Sequence, residues 1–390
     1  MIPDRSNEDY SIEQYRTKLQ KELSKYSVNQ NVLEAFARIP RHVFIDTFYL
    51  PRPAKGQTPQ WVQLSPQMNE TEWLEAVYRD EPVVTQIAAD GHASSSSSKP
   101  SVMAAMLEEL HVQPGQKVLE IGTGTGWNAV LLAELTSDPA LVTTIDIDED
   151  LVYRATQRIC ASGGDGMTIL VGDGREGYAP NAPYDRIIAT GSYPFVPFAW
   201  IDQLAPGGLL VVNVKTWYVS MMLIICRDMD TGEVYGKILD NLQGEFMRLH
   251  GGEGVDHRLD RSLYPREPIF PIIEETWDYE YFHPDLLTNE HFKFFVWLRF
   301  PQMYAYRIGR KNQSIAFYYL HDLQSGKRLQ FNMVGKPDIR GDKDLWNDLQ
   351  NSIDHYHALN YPTCEDFCLH FTETEQYFEY IGIRWPIAKR

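Results

Sequence analysis

The sequence predicts an α/β protein: a doubly wound, Rossmann-like domain with a helical segment before it and an α+β extension after it. Three observations predict it. Between residues 117 and 214 short apolar runs alternate with amphipathic stretches, a glycine-rich turn stands at the end of the first run, and a glycine cluster at 251–254 separates this tract from an aromatic-rich one. Apolar strands separated by helices signal a parallel sheet covered on both faces, because each crossover lays a helix against the sheet. The 390 residues, 43% of them apolar, suffice for two domains at roughly 150 residues each.

Residues 12–48 carry Val28, Val32, Leu33, Phe36 and Ile39 at helical spacing and stop at Pro40-Arg41-His42, which predicts two short helices. Residues 50–72 are rich in Pro, Gln and polar residues and read as a surface loop, part of an insertion over about 50–77. A serine run, Ser94 to Ser98, precedes Lys99-Pro100; composition alone makes such a run a flexible linker. Val102, Met103, Met106, Leu107 and Leu110 then share one helical face, with Pro100 in the first turn where its missing N–H costs little.

The alternating tract runs strand Lys117–Ile121, helix Trp127–Leu135, strand Val142–Ile145, helix Leu151–Ala161, strands Thr168–Val171 and Arg186–Ala189, helix Ala199–Leu204 and strand Leu209–Val214. Val219–Cys226 and Glu233–Leu239 flank Asp230-Thr231-Gly232 and read as a hairpin. The first domain closes near Leu249, giving 1–250, and Gly251 to Gly254 form a linker. The extension, 255–390, has strand-like stretches Phe294–Phe300, Ala305–Ile308 and Ile315–Leu320 and a helix around Leu345–Tyr356.

Several function classes are disfavoured at once. A formal charge of −17 repels a phosphate backbone, so no nucleic-acid partner is expected. No apolar run reaches the length of a membrane span, and Met1 to Tyr10 are polar and acidic, so the chain is expected in the cytoplasm with no membrane partner. Four cysteines in a chain this long form no disulfide scaffold, which fits a reducing compartment.

The chemistry-bearing signal is Glu120-Ile121-Gly122-Thr123-Gly124-Thr125-Gly126, at a strand-to-helix junction. Glycines there let the backbone approach a ligand closely, and the free N–H groups at the helix start favour an anionic group. Asp146 ends the next strand 20 residues after Gly126, where a carboxylate accepts from both ribose hydroxyls, and Gly172-Asp173-Gly174 ends the third strand. Together they mark a nucleoside pocket. The glycine spacing differs from that of dinucleotide sites and no second nucleotide-binding half is evident, so S-adenosyl-L-methionine fits better than NAD.

With these residues in place the chain resembles the protein-L-isoaspartate O-methyltransferase family. Val32 to Phe44, with its Pro40-Arg41-His42-Val43-Phe44 segment, is similar to the family's amino-terminal block. Ser98-Lys99-Pro100 followed by Ala104 and Met106-Leu107-Glu108 is similar to its Ser-x-Pro helix entry. Gly172-Asp173-Gly174, Pro183-Tyr184-Asp185 and Gln203 to Gly208 follow in the family's order, so the likeness covers about 12–250. The resemblance implies a class I S-adenosyl-L-methionine-dependent methyltransferase fold. It implies that Glu120, Gly122, Thr123, Gly124, Gly126, Asp146, Ile147, Asp173 and Gly174 hold the cofactor, with S-adenosyl-L-homocysteine as product. Ser98, with Ser97 beside it, falls at the methyl-transfer site.

Three features depart from the short repair enzymes: the segment from Gly91 to Ser98 is longer and more polar, residues 50–77 form an insertion, and residues from 255 onward have no counterpart there. This layout resembles longer homologues of ribosomal peptide natural-product pathways, which implies methylation of a peptide aspartyl side chain and closure of the ester to aspartimide, then isoaspartate. Repair of isoaspartyl residues in proteins is the alternative. A cofactor-binding interaction protein without catalysis is the third.

A peptide carboxylate with a pKa of ~4 is already ionised at neutral pH, so attack on a sulfonium methyl needs no strong base. The catalytic task is alignment and exclusion of water, and hydroxyls such as Ser98 orient a carboxylate without neutralising it. His92 reads as a solvated loop residue. Cys364 and Cys368 with His370 nearby lack a fourth ligand, so no metal is expected. His291 to Lys311 holds Lys293, Arg299, Arg307, Arg310 and Lys311 without an acidic residue, which reads as a groove for an acidic peptide or as the wet face of a strand pair.

Overall fold

In a computed structural model of the chain, the residues described are 5–52, 60–239, 246–247, 271–274, 282, 284–309, 315–332 and 338–390. They fall into two compact units, one of Met1–Asn213, Met222–Val234 and Asn241–Gly251, the other of Val214–Met221, Tyr235–Asp240 and Gly252–Arg390.

The first unit opens with α1 (Arg5–Leu23) and α2 (Gln30–Arg38). The two helices are where the periodicity places them, although α1, at 19 residues, is not short. Asn29 caps α2 by accepting from the Val32 amide at 3.0 Å, and Val32, Ala35 and Phe36 form the buried stripe.

Residues 50–72 are not a loop. They contain the end of β1 (Phe48–Arg52), all of β2 (Gln60–Leu64) and the start of α3 (Pro66–Val77). β1 and β2 pair antiparallel from Phe48↔Leu64 to Arg52↔Gln60. Phe48, Leu64, Trp73, Leu74 and Val77 are buried, so a handful of apolar residues gives the segment its packing despite its polar composition. Residues 53–59 lie outside the described residues.

The serine run also takes regular structure. β3 (Val83–Ile87) and β4 (Ala93–Ser97) pair antiparallel, with Val83 opposite Ser97 and Val84 opposite Ser96. The ladder and polar neighbours satisfy the serines: Ser94 Oγ donates to Gln86 Oε1 at 2.8 Å. Strand order in this small sheet is β2-β1-β3-β4. β4 runs into α4 (Pro100–Leu110), whose Met103, Met106, Leu107 and Leu110 are buried as the periodicity predicts, whereas Val102 is half-buried and Ala104 is buried as well.

The doubly wound core follows: β5 (Val118–Ile121), α5 (Trp127–Thr136), β6 (Val142–Asp146), α6 (Glu149–Ala161), β7 (Thr168–Val171), β8 (Tyr184–Tyr193), α7 (Phe198–Gln203), β9 (Leu204–Lys215) and β10 (Ser220–Arg227). β5 is parallel to β6 and β8, and β6 is parallel to β7. The strand order β9-β8-β5-β6-β7 places a reversal of winding beside β5. Ligands of such sheets bind outside the carboxyl ends of the strands at that switch point. After β10 the Asp228 carboxylate accepts from the amides of Asp230 and Thr231 and forms the predicted turn.

In the second unit the stretch expected as a strand, Phe294–Phe300, is α8 (Glu290–Arg299). Phe292, Phe294, Phe295, Val296, Trp297 and Leu298 are buried there, so the helix is apolar around most of its circumference and shows no amphipathic period. Its start is marked by Asn289, which accepts from the Phe292 amide at 2.9 Å. The other expected elements are present as β13 (Met303–Gly309), β14 (Ile315–Asp322) and α9 (Lys343–Ala358), with β11 (Val234–Ile238) and β12 (Ile272–Glu274) earlier and β15 (Arg328–Asn332) and β16 (Ile339–Gly341) between. One antiparallel sheet has the order β12-β16-β15-β14-β13. β17 (Cys368–Phe371), β18 (Glu375–Tyr380) and β19 (Ile383–Lys389) form consecutive antiparallel pairs. Leu249, Gly251 to Gly254, Arg310 and Lys311 lie outside the described residues. Among the described residues no helix is long and apolar enough to cross a membrane.

Candidate active site

A cavity of about 880 Å³ opens at the carboxyl ends of the parallel strands in the first unit, within the size range of small-molecule sites. The turn after β5 and the ends of β6, β7 and β8 supply one side; β3 and the serine strand supply the other. The turn from Gly122 to Gly126 leaves β5 with φ values of +96° at Gly122, +51° at Gly124 and +86° at Gly126. Gly126 lies behind the cavity, where an added Cβ would stand 3.0 Å from Ile159 of α6. Its absent side chain lets the turn pack on that helix.

Asp146, the last residue of β6, anchors the turn. Its Oδ2 accepts from the Gly124 amide at 2.9 Å and its Oδ1 from the Asp148 amide at 3.2 Å. Burial pushes its pKa up, against the pull of these amides. Ile147 follows on the cavity wall and is 42% exposed, an apolar surface beside a carboxylate.

Glu120 lines the floor and is fully buried. Its Oε1 accepts from Asn128 Nδ2 at 2.8 Å and its Oε2 from the Thr144 hydroxyl at 2.6 Å. Because Thr144 donates there, the 2.7 Å contact between Thr123 and Thr144 must have Thr123 as donor. Burial pushes Glu120 up to about 7 although both hydrogen bonds oppose it. Asp173 turns its carboxylate to Arg175, accepting from Nε at 2.9 Å and from the Arg175 amide at 3.0 Å. Gly174 allows a close approach, since a Cβ would meet Ile121 Cγ2 at 2.5 Å.

On the opposite wall, Ser95 and Ser97 are buried and Ser94 and Ser96 are half-buried, the two-residue alternation of a strand. Ser97 Oγ accepts from Arg41 Nε at 3.2 Å. Ser98, just past the strand, is half-buried on the wall beside Lys99. Gln86 ties the walls together, accepting from Ser94 and donating to Asp148 Oδ2 at 2.9 Å. Opposite Ser96, an ideal Cβ on Gly124 would lie 3.9 Å from the Ser96 carbonyl, so turn and serine strand face each other at close range.

Thus Ser97, Ser98, Glu120, Gly122, Thr123, Gly124, Asp146, Ile147, Asp173 and Gly174 border one cavity. Sequence reading missed Arg41, Asn128, Arg175 and Tyr193. Asn128 was findable, because it falls in the first turn of α5, on a helix whose start the glycines mark. Arg41 carried only a weak signal, a cation between Ile39 and Val43-Phe44.

The donor set fits the expected cofactor. Asn128 Oδ1 and the Tyr193 hydroxyl are buried without a hydrogen-bond partner among the described residues, and both side chains belong to the cavity lining. Groups of this kind are satisfied by a polar ligand. Among the described residues no cluster could hold a metal. The four cysteines are free thiols, and Cys364 donates its amide to His291 Nδ1 at 3.1 Å.

The family model of protein-L-isoaspartate(D-aspartate) O-methyltransferase matches residues 14–243. The chain belongs to this family. The protein-L-isoaspartate O-methyltransferase of Methanosarcina mazei is 32% identical over 225 residues, 58% of this chain and 79% of that one. The enzyme of that name from Ignicoccus hospitalis is 34% identical over 190 residues, 49% of this chain and 76% of that one. A solved structure titled protein-L-isoaspartate O-methyltransferase shares the fold with a TM-score of 0.56 at 22% identity, over 94% of this chain and 99% of the other. The family is one of carboxyl methyltransferases that use S-adenosyl-L-methionine, and the fold is the class I methyltransferase fold.

Proposed function

We propose that this chain transfers a methyl group from S-adenosyl-L-methionine to an aspartate-derived carboxylate of a peptide or protein, with the isoaspartyl carboxylate as acceptor. The observation that carries the reading is the serine strand facing the glycine turn, with the Ser96 carbonyl 3.9 Å from the place of a Gly124 Cβ. That main-chain contact sets the serine strand against the glycine turn, and Ser94 to Ser98 line the same cavity as the turn, which brings an acceptor and a cofactor within reach of each other as alignment of two reactants requires.

When bound, S-adenosyl-L-methionine supplies a sulfonium methyl that the acceptor oxygen takes, the C–S electron pair remaining on sulfur in S-adenosyl-L-homocysteine. Asp146 would accept from the ribose hydroxyls while holding the turn. Asp173 and Gly174 would border the purine end, and Ile147 would give the base an apolar face. Glu120, Asn128 and Thr144 fix the floor. Ser98 donates to the acceptor carboxylate and orients it, and Lys99 beside it is held by Asp80 at 3.4 Å. No general base is needed for an ionised acceptor.

The finer reading takes the acceptor to be an aspartyl side chain of a ribosomally made peptide. Its methyl ester is then attacked by the next backbone nitrogen, methanol leaves, and aspartimide results. The polar strand 93–97 supports this reading. The carboxyl-terminal part does not discriminate, because the solved structure of that title aligns over nearly the whole chain. In either case residues 1–250 are read as the methyltransferase domain and 255–390 as the part that selects substrate, in a cytoplasmic enzyme without nucleic-acid or membrane partners.

The test is incubation with methyl-labelled cofactor and two peptides differing only in an aspartyl or an isoaspartyl residue. Label on the isoaspartyl peptide alone supports the first reading. Label on the aspartyl peptide, or its loss of one water, supports the finer one. Cofactor binding without label on either leaves an interaction protein.

A further inference from the structure

Arg41 opens the single turn Arg41–Phe44 and is only 1% exposed. Its guanidinium donates to the carbonyls of Val77 at 2.8 Å, Arg79 at 3.3 Å and Glu81 at 3.2 Å on one side. On the other it donates to the carbonyls of Ser97 at 3.1 Å and Ser98 at 2.9 Å and to Ser97 Oγ at 3.2 Å. Among the described residues it forms no ion pair. Five carbonyl dipoles, with the Asp80 carboxylate nearby, compensate a buried cation whose desolvation is costly.

The same guanidinium lies 5.3 Å from the ring centre of Trp127, the first residue of α5. Trp127 in turn donates its indole N–H to the Ile39 carbonyl at 3.2 Å. One side chain therefore spans the helix that follows the glycine turn and the strand that faces it.

We infer that Arg41 is a positioning residue of the acceptor wall, acting through Ser97 and Ser98 rather than touching substrate. By turning both carbonyls onto itself it fixes the peptide planes on either side of Ser98, and hence the direction in which the Ser98 hydroxyl is presented to the cavity. The fork geometry matters: lysine offers three donors from one nitrogen, too few and too close together to serve all five carbonyls and the Ser97 hydroxyl. The inference rests on the reading of the serine strand as the acceptor wall.

The test compares Arg41→Lys and Arg41→Gln with the unchanged enzyme. Three measurements are made: calorimetric affinity for S-adenosyl-L-homocysteine, kcat and KM on a peptide with one L-isoaspartyl residue, and amide hydrogen exchange over residues 93–99. In both variants kcat should fall about 100-fold, the loss expected when a reacting group is displaced by about an ångström, with cofactor affinity nearly unchanged and exchange accelerated at 93–99. Failure of lysine to restore kcat separates positioning from charge alone. If Arg41→Gln does not fold, Arg41→Lys carries the test. Wild-type kcat in Arg41→Lys, unchanged exchange at 93–99, or parallel loss of cofactor affinity would each overturn the inference. Should the unchanged enzyme label no peptide, the functional reading fails, and exchange at 93–99 alone decides the role of Arg41.

Discussion

The Gly124 amide donates to Asp146 Oδ2 at 2.9 Å, joining the glycine turn after β5 to the carboxylate that ends β6. One carboxylate thus shapes the turn and lines the cavity, where we propose that it also holds the ribose. Asp146→Ala removes both contributions and should weaken S-adenosyl-L-homocysteine binding by about 2–3 kcal/mol, the scale of hydrogen bonds to a charged group. Asp146→Asn keeps an acceptor for the amide and should lose less. Calorimetric titration checks the order, and equal affinities for all three proteins would refute the assignment.

Ser98 sits on the opposite wall, so its removal should separate chemistry from cofactor binding. Ser98→Ala is expected to lower kcat by about tenfold or more, the cost of a lost hydrogen bond to a charged group, with cofactor affinity unchanged. Full turnover in this variant would move the acceptor site elsewhere.

Glu120 predicts a pH dependence of stability. Its folded-state pKa, pushed up to about 7 from 4.5, means that the native chain keeps a proton the unfolded chain has released. Stability is therefore highest below pH 4.5 as far as this group is concerned, declines as pH rises toward 7, and is flat above. Glu120→Gln removes the ionisation, so its denaturation midpoint should decline less over that interval than that of the parent. Urea titrations at several pH values measure it; identical slopes would show that Glu120 titrates normally.

The basic stretch of the extension yields a narrower expectation than its sequence suggests. Lys293 and Arg299 are on α8 and Arg307 is on β13, so the cations do not line one strand pair. Lys293 is paired with Glu290 at 2.8 Å, whereas Arg307 is exposed and lies 5.7 Å from the Tyr318 ring centre. If the extension attracts acidic peptides, Arg307→Glu should raise peptide KM a few-fold at low salt and hardly at high salt. A KM that does not move removes Arg307 from substrate selection.

The parallel sheet was readable because its central strands are short buried runs separated by stretches of helical length. The glycine turn and its place at the strand ends were readable because glycine, aspartate and strand ends occur at fixed spacing. What escaped reading was hidden by composition. Strands β1 and β2 and helix α3 look like a loop because a few apolar residues, Phe48, Leu64 and Trp73 among them, anchor otherwise polar segments. Helix α8 looks like a strand because it is apolar on nearly every side. Arg41 gave only a weak signal within its block, since its partners are main-chain carbonyls, which no side-chain pattern announces.

The account stands most directly on one measurement: mass spectrometry of a peptide carrying a single L-isoaspartyl residue after incubation with the enzyme and S-adenosyl-L-methionine. The account predicts a gain of one methyl group that depends on Asp146 and Ser98. An unmodified isoaspartyl peptide and an unmodified aspartyl counterpart, in the presence of an enzyme that binds S-adenosyl-L-homocysteine, would contradict it.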